Sequence, residues 1–249
     1  MPGPASSKDT QSNAQQLASE LDVFNQVIPI DNLVTIELAC LSHDGMTQDI
    51  TYENVQARAR TSLLFNYANQ HSGMVLGTGD LSEIALGWCT YNGDQQSHYN
   101  VNASIPKTLV KNLVQHVSQH PEYAVAQTTL ESILDTVISP ELTTSDSTTI
   151  SQSTEDIIGP YSLHDFFLYH LVRWGESPSK IKYLGGLAFE GEYDTSTVSE
   201  WFEIFIGRFI HSQFKRENMP NGPKIGSVSL SPRGDWRMPP DIRNSALWD

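Results

Sequence analysis

Cysteine is nearly absent: Cys40 and Cys89 are the two thiols in 249 residues, too few for a disulfide framework, so the fold must rest on a hydrophobic core. Both are expected as reduced thiols in or near that core. No apolar run approaches the roughly 20 residues a bilayer helix needs, which excludes a helical membrane span. The opening Met1-Pro2-Gly3-Pro4-Ala5-Ser6-Ser7 has neither a basic start nor an apolar stretch. No secretory signal is read there, and the cytoplasm is the expected compartment. Basic residues are scarce as well: 15 Lys and Arg stand against 29 Asp and Glu, a formal charge of −14. That balance argues against a general nucleic-acid binder, because phosphate backbones require clustered Lys and Arg. The scarcity is uneven. Residues 1–204 carry 8 basic and 25 acidic groups, whereas residues 205–249 carry 7 and 4, so an anionic ligand could be met locally by the tail.

What is present is the composition of a globular chain, 39% hydrophobic and 18% charged, large enough to bury a substantial core. Residues 1–20 read as a Ser, Gln and Asn-rich entry into a helix capped by Asp9 or Thr10. Val27-Ile28-Pro29-Ile30 reads as a short β-like run, and Ile36 to Leu41 as a helical turn. Asp49 or Thr51 caps a strong helix through about Gln70, marked by Val55, Ala59 and Leu63. Met74-Val75-Leu76 suits a buried parallel strand. The turn Gly77-Thr78-Gly79-Asp80 follows, then an apolar helix from Leu81 to Trp88. This strand, Gly-rich turn and helix is the punctuation of an open α/β sheet, where ligands sit beyond the strand's carboxyl end. Pro106 and Lys107 begin a further helix to Val117. The stretch 121–160 reads as largely loop with short helices, Leu163 to Trp174 and Ser199 to Phe214 as helices, and the Pro-rich tail from Met219 as irregular.

The segment Val75 to Glu83 carries the most chemistry. Its glycines allow close backbone approach to a ligand, Thr78 offers a hydroxyl, and Glu83 lies one turn into the helix, able to hold Mg²⁺ beside phosphates. A tight structural turn with Asp80 or Ser82 as N-cap explains the same residues. Thr90 to Asn102 is a long run of hydrogen-bonding side chains that suits a ribose-rich or amide-rich ligand, or a solvated turn around Asn92-Gly93. Arg58 and Arg60 do not share a helix face. His116 and His120 have metal-ligand spacing but no local acidic or Cys partner, and Cys40 with His43 is half a zinc site without a second half. A solvated helix end and chance packing are the simpler readings of those two pairs.

Taken together, these segments resemble the synthetase domain of glutamine-dependent NAD⁺ synthetases. The resemblance is carried by Asp49 to Arg58, Val75 to Glu83, Gly87 to Tyr91, Tyr99 to Leu109, Ile133 to Leu142, Gly159 to Phe166, Phe214-Lys215-Arg216, Gly222-Pro223-Lys224 and Leu230 to Arg237. It implies an α/β fold with an open, mostly parallel sheet of the adenine-nucleotide α-hydrolase type. The implied division places a nucleotide-binding α/β part at residues 1–120 and a helical part with the basic tail at 121–249. The implied reaction is an ATP-dependent amidation of deamido-NAD through an adenylated intermediate, with ammonia from glutamine, Mg²⁺ as metal, a glutaminase domain or subunit as partner, and a homo-oligomeric assembly. By family motif, Thr78, Lys107 and Ser139 would contact ATP. Asn54, Arg58, Trp88, Cys89, Thr90, Tyr91 and Lys215 would contact deamido-NAD, and Glu83 would hold the metal or approach the dinucleotide.

The resemblance also sets expectations where the chain departs from the family. The family's Ser-Gly-Gly-x-Asp-Ser pyrophosphate loop is expected just upstream of where this sequence opens. The nitrilase-like amidase domain with its Glu-Lys-Cys triad is not represented, and neither Cys40 nor Cys89 stands in for its nucleophile. Tyr91 occupies a position where the ammonia-only branch has a Lys. The sequence therefore reads as a C-terminal portion of a ligase, with weak or no ligation expected of it alone. The alternative reading is a non-catalytic nucleotide-binding remnant that acts by association.

Overall fold

The computed structural model describes residues 1–3, 8–136 and 154–242, with the backbone alone at 8–11. It forms two compact units, each assembled from two stretches of chain: Met1–Tyr67 with Leu109–Thr154, and Ala68–Thr108 with Glu155–Asp249.

The first unit is helical. Helix α1 (Lys8–Glu20) packs on a 3₁₀ turn (Pro121–Ala126) and on α6 (Gln127–Asp135), and Asn13 Nδ2 donates to Ser132 Oγ at 3.3 Å. The Val27–Ile30 run forms no strand, contrary to the sequence expectation. Pro29 has no N–H to offer a ladder, and the Ile30 N–H donates instead to Pro2 O at 2.9 Å. Ile30 then leads into α2 (Asp31–Cys40), where Val34 and Leu38 follow it at four-residue spacing. These three pack against Tyr52, Val55 and Ala59 of α3 (Ile50–Gln70), one stripe of a long helix. Asp49 starts α3 as expected: its Oδ1 accepts the N–H groups of Thr51 and Tyr52 at 2.9 and 3.0 Å. Most of α5 (Lys107–Ser118) also belongs to this unit.

The second unit holds the strand–turn–helix segment. Strand β1 (Leu76–Gly77) precedes α4 (Leu81–Leu86), and β2 (Tyr99–Asn100) pairs parallel to β1 with Leu76 opposite Tyr99. Asn221 of the tail extends this small sheet with a parallel bridge to Tyr99. Around it lie α7 (Thr154–Ile158), α8 (Tyr161–Leu168) continued as a π turn (Tyr169–Trp174), α9 (Pro178–Ala188), α10 (Thr195–His211) and α11 (Gln213–Glu217). Helix α10 buries Phe202, Phe205, Ile206 and Phe209, the i, i+3, i+4, i+7 stripe visible in its sequence. Phe167 of α8 meets the rings of Phe202 and Phe205 at 5.3 and 5.7 Å, and Trp236 of the tail closes on Phe209 at 5.3 Å. Each such side chain contributes about 1.5–3 kcal/mol of burial. The core thus sits beneath α10 and fixes the elements that α4 leans on. Among the described residues no helix is long and apolar enough to cross a membrane.

Candidate functional site

Close approach explains the first glycine of the Gly-Thr-Gly-Asp turn. A Cβ on Gly77 would lie 2.6 Å from Ser97 Oγ and 3.0 Å from Asn100 Cβ, so β1 and the run entering β2 meet only if residue 77 has no side chain. Thr78 is exposed at the turn. Asp80 then caps α4: its Oδ1 accepts the Glu83 N–H at 3.0 Å, and Glu83 Oε2 accepts the Asp80 N–H at 3.1 Å. This reciprocal capping box is the structural role the sequence offered for Asp80. It uses one oxygen of each carboxylate. The other two converge on Lys107, whose Nζ lies 2.6 Å from Asp80 Oδ2 and 2.7 Å from Glu83 Oε1. The side chains of Asp80, Lys107 and Glu83 are 3%, 17% and 24% exposed, so the cluster is mostly shielded while Glu83 keeps access to solvent.

Electrostatics follow from that shielding. Burial first, and the neighbouring Asp80 charge second, push the Glu83 carboxyl up to about 7 against the opposing pull of Lys107. Burial alone would lower Lys107, but the two carboxylates outweigh it and hold the ammonium above its ordinary range. Tyr161 lies close by, with the Lys107 ammonium 5.6 Å from its ring centroid. Its hydroxyl is buried with no hydrogen-bond partner among the described residues, and burial with the Glu83 and Asp80 charges keeps it protonated far above the usual tyrosine range.

Lys107 is held at its backbone by residues remote in sequence. Its N–H donates to Ser82 Oγ at 2.8 Å, and the Ser82 hydroxyl donates to Asp165 Oδ1. Asp165 Oδ2 accepts the Thr108 N–H at 3.0 Å and the Thr108 hydroxyl at 2.7 Å. Side chains of α4 and α8 therefore cap the start of α5, satisfying donors that no local residue serves. Burial raises the Asp165 carboxyl despite these hydrogen bonds.

The other end of α4 is gripped by cations. Gly87 terminates the helix at φ +60°, and a Cβ there would fall 2.0 Å from Ser212 Oγ. Leu86 O accepts the Ser212 hydroxyl at 3.2 Å and Arg208 Nη1 at 3.5 Å. Lys215 Nζ donates to Gly87 O and Cys89 O, both at 2.7 Å. Arg216, 1% exposed, donates to Ala85 O at 3.0 Å, Ile84 O at 3.3 Å and Phe209 O, with its guanidinium over the Phe209 ring. Burial brings that guanidinium down to about 9. Arg208 stacks on Trp88 at 4.9 Å, Tyr91 meets Phe214 at 5.5 Å, and the Thr90 N–H donates to Asp94 Oδ1 at 2.6 Å. The run Trp88 to Tyr91 is thereby shaped by α10 and α11.

Of the residues the sequence nominated, Thr78, Glu83 and Lys107 fall in or beside the turn, and Trp88, Cys89, Thr90, Tyr91 and Lys215 form a second group at the far end of α4. Asn54 and Arg58 stand on α3, Arg58 exposed, in the first unit. Ser139 lies outside the described residues. Cys40 is exposed, correcting the expectation of a thiol in or near the core, whereas Cys89 is half-buried and pushed by burial up to about 12. A thiol held so firmly protonated is a poor nucleophile. His116 and His120 are both exposed, and the His120 ring caps the 3₁₀ turn. The ion pair of Asp80 with Lys107, the Asp165 cap, the Tyr161 hydroxyl and the carbonyl-binding role of Arg208 and Arg216 were not read from sequence. Asp80 offered a local signal, three residues before Glu83; the others offered none.

The residues present fit a divalent cation in one respect. Among the described residues no cluster of three or more His, Cys, Asp or Glu is placed to hold a metal unaided. Yet an ammonium already rests between Asp80 and Glu83, so the pair accepts a cation, and Mg²⁺ bound beside phosphates often takes only one or two protein carboxylates.

Comparison with known proteins agrees with the segment-by-segment resemblance. The family model described as NAD synthase matches residues 1–200. A glutamine-dependent NAD(+) synthetase of Mycobacterium leprae is 43% identical over 272 aligned residues, covering 100% of this chain and 40% of that protein. One from Aquifex aeolicus is 29% identical over 96% of the chain and 38% of its own length. The chain thus spans about 40% of the length of the curated relatives it matches. A solved glutamine-dependent NAD(+) synthetase from Cytophaga hutchinsonii superposes with a TM-score of 0.72 at 18% identity, over 94% of this chain and 37% of that one. An NMN synthetase from Francisella tularensis superposes at 0.59 and 21% identity, over 85% and 73%. These likenesses establish the fold, an open α/β arrangement of the adenine-nucleotide α-hydrolase type that is rich in helix and carries a small parallel sheet. The chain belongs to the NAD synthase family.

Proposed function

We propose that this chain is the amide-forming ligase part of an NAD⁺ synthetase. It would join ammonia to the nicotinate carboxylate of deamido-NAD at the expense of ATP. A carboxylate is a poor electrophile with no usable leaving group. Attack of its oxygen on the α-phosphorus of ATP expels pyrophosphate and forms a mixed anhydride with AMP. Ammonia then adds to the carbonyl carbon, AMP leaves with the bonding pair, and the amide loses a proton. Because the relatives are named for glutamine dependence, glutamine is the proposed source of ammonia, released by a glutaminase domain or subunit. Assembly of several copies is part of the same proposal.

The observation that carries this reading is the shielded carboxylate pair with its ammonium, set at the turn after a parallel strand and backed by an aromatic and cationic second group. Thr78 would contact the nucleotide from the exposed turn, and Lys107 would meet a phosphate oxygen, with Ser139 as a further contact. Glu83 would hold Mg²⁺, which supplies charge neutralisation at the phosphates when bound. Trp88 offers a flat apolar surface for a pyridine or purine ring. Lys215 spends two N–H donors on Gly87 and Cys89 and keeps the third for an anionic or hydroxyl group of the dinucleotide. Cys89, Thr90 and Tyr91 complete the proposed dinucleotide contacts of this unit, and Asn54 and Arg58 of the other unit are proposed as contacts from the family resemblance alone.

The test supplies deamido-NAD, ATP, Mg²⁺ and ammonia to the chain alone and to the full-length protein, with chromatography of the products. The reading predicts that NAD⁺, AMP and pyrophosphate form in equal amounts in the full-length protein. NAD⁺ formation in neither, with ATP left intact, would reject it.

A further inference from the structure

The proposed function assigns Glu83 to a metal and Lys107 to a phosphate, yet the two side chains bind each other. Lys107 Nζ sits 2.6 Å from Asp80 and 2.7 Å from Glu83, on the very oxygens the capping box leaves over. We propose that the Lys107 ammonium is the resident cation of the Asp80–Glu83 pair, which keeps free divalent ions out and opens to one only when a phosphate group arrives to receive the ammonium. This inference rests on the nucleotide reading of the site.

Charge arithmetic supplies the reason. Two carboxylates and one ammonium sum to −1. A divalent ion entering alone would share both carboxylates with an ammonium already within hydrogen-bonding distance of each, and in a shielded cluster like charges so close repel strongly. The other carboxylates described around Tyr161 already accept hydrogen bonds of their own, Asp165 from Ser82 and Thr108 and Glu155 from the Tyr161 N–H at 3.0 Å. A nucleotide polyphosphate offers the ammonium a full negative charge to move to. The ammonium can then leave the pair as the metal arrives, so ion and nucleotide bind with positive coupling. The tether suits this exchange. The Lys107 backbone is pinned by Ser82, while its side chain is a flexible four-carbon stem. A second observation points the same way: the Tyr161 hydroxyl is buried with no partner among the described residues, and the Lys107 ammonium lies across its ring. Such a buried hydroxyl, beside the ammonium, is a polar group left for an arriving ligand to serve.

Mn²⁺ binding read by water-proton relaxation tests the claim without any turnover. The full chain free of nucleotide should bind Mn²⁺ weakly, Lys107→Met at least ~tenfold more tightly, and Lys107→Arg like the unaltered chain. Equal or weaker Mn²⁺ binding by folded Lys107→Met would overturn the proposal. Should that variant fail to fold, ¹⁵N-lysine spectra of the unaltered chain decide. Mg²⁺ alone should leave the Lys107 ammonium resonance in place and Mg²⁺ with ATP should shift it, whereas an equal shift with Mg²⁺ alone overturns the claim. If ATP binds in no experiment, the nucleotide reading fails by itself, and the Lys107→Met comparison still decides whether the ammonium is the resident cation.

Discussion

The two ends of α4 are held by opposite means. At its start, Asp80 and Glu83 share one ammonium on a flexible side chain, and one of those carboxylates retains access to solvent. At its finish, Ile84, Ala85, Leu86, Gly87 and Cys89 present carbonyls to Arg208, Ser212, Lys215 and Arg216, all from one helical corner. A lone counter-ion can be exchanged, whereas a grip of many neutral acceptors on the buried Arg216 and the half-buried Arg208 and Lys215 cannot be released piecemeal without orphaning several groups at once. The six-residue helix thus joins an end held by one exchangeable ammonium to a fixed end that holds the Trp88–Tyr91 run in shape.

Breaking the fixed end should have the largest effect. Arg216→Met removes a buried guanidinium from several carbonyls and is expected to cost ~2–4 kcal/mol in urea unfolding, since each unsatisfied buried acceptor carries its own penalty. A loss below ~1 kcal/mol would show the grip to be incidental. At the exchangeable end, Glu83→Gln should do the reverse. In the full-length enzyme we expect metal-dependent NAD⁺ formation to fall ~10²-fold or more, with unfolding free energy at pH 5 within ~1 kcal/mol of the unaltered protein. Unchanged Mg²⁺ dependence would remove Glu83 from the metal.

Lys215→Met touches the link between the loop and the corner. It should raise the KM for deamido-NAD by about tenfold and leave that for ATP in place, because its ammonium orders Gly87 and Cys89 rather than the turn. Equal rises in both constants would mean that the two ends of α4 act as one.

The pH dependence sharpens the contrast further. Glu83 has a folded-state value near 7, above the ordinary 4.5 of an unfolded chain. The folded protein therefore holds the proton more tightly, and this group's contribution is full below pH 4.5 and lost as pH rises to about 7. The unaltered chain should accordingly lose ~1–3 kcal/mol relative to Glu83→Gln over that window, measured by denaturant unfolding at stepped pH. A constant difference across the window would contradict the shielding assigned to Glu83. The smallest effect expected is that of Tyr161→Phe. Deleting a buried hydroxyl with no partner among the described residues should leave the protein equally stable or up to ~1 kcal/mol more stable in thermal unfolding. A clear loss would reveal a bond the free protein depends on.

How far these ends were legible in the sequence follows from where their partners lie. The β1–turn–α4 segment was legible because its signals are local: a short apolar run, two glycines, and Asp80 three residues before Glu83. The expected buried strand at Met74-Val75-Leu76 is corrected, however: the strand is Leu76–Gly77, and of the three only Val75 is buried. The α10 stripe was legible from periodicity. The Val27–Ile30 run misled because β-rich composition says nothing of a partner strand, and Ile30 found a helical core instead. Helix α9 went unread although Ser177-Pro178 is a serviceable start signal, with the Ser177 hydroxyl accepting from Lys180 N–H at 3.4 Å. Asp165 and Arg216 went unread for a different reason. Their partners stand 57 and 131 residues away, and no local pattern marks a side chain that caps another element's backbone.

The most direct test of the account is amide chemical-shift mapping of the chain titrated first with Mg²⁺ and ATP, then with deamido-NAD. The account predicts that the nucleotide perturbs Thr78, Glu83 and Lys107, and that the dinucleotide perturbs Trp88 to Tyr91 and Lys215. Shifts from both ligands that avoid residues 77–91 altogether would contradict it.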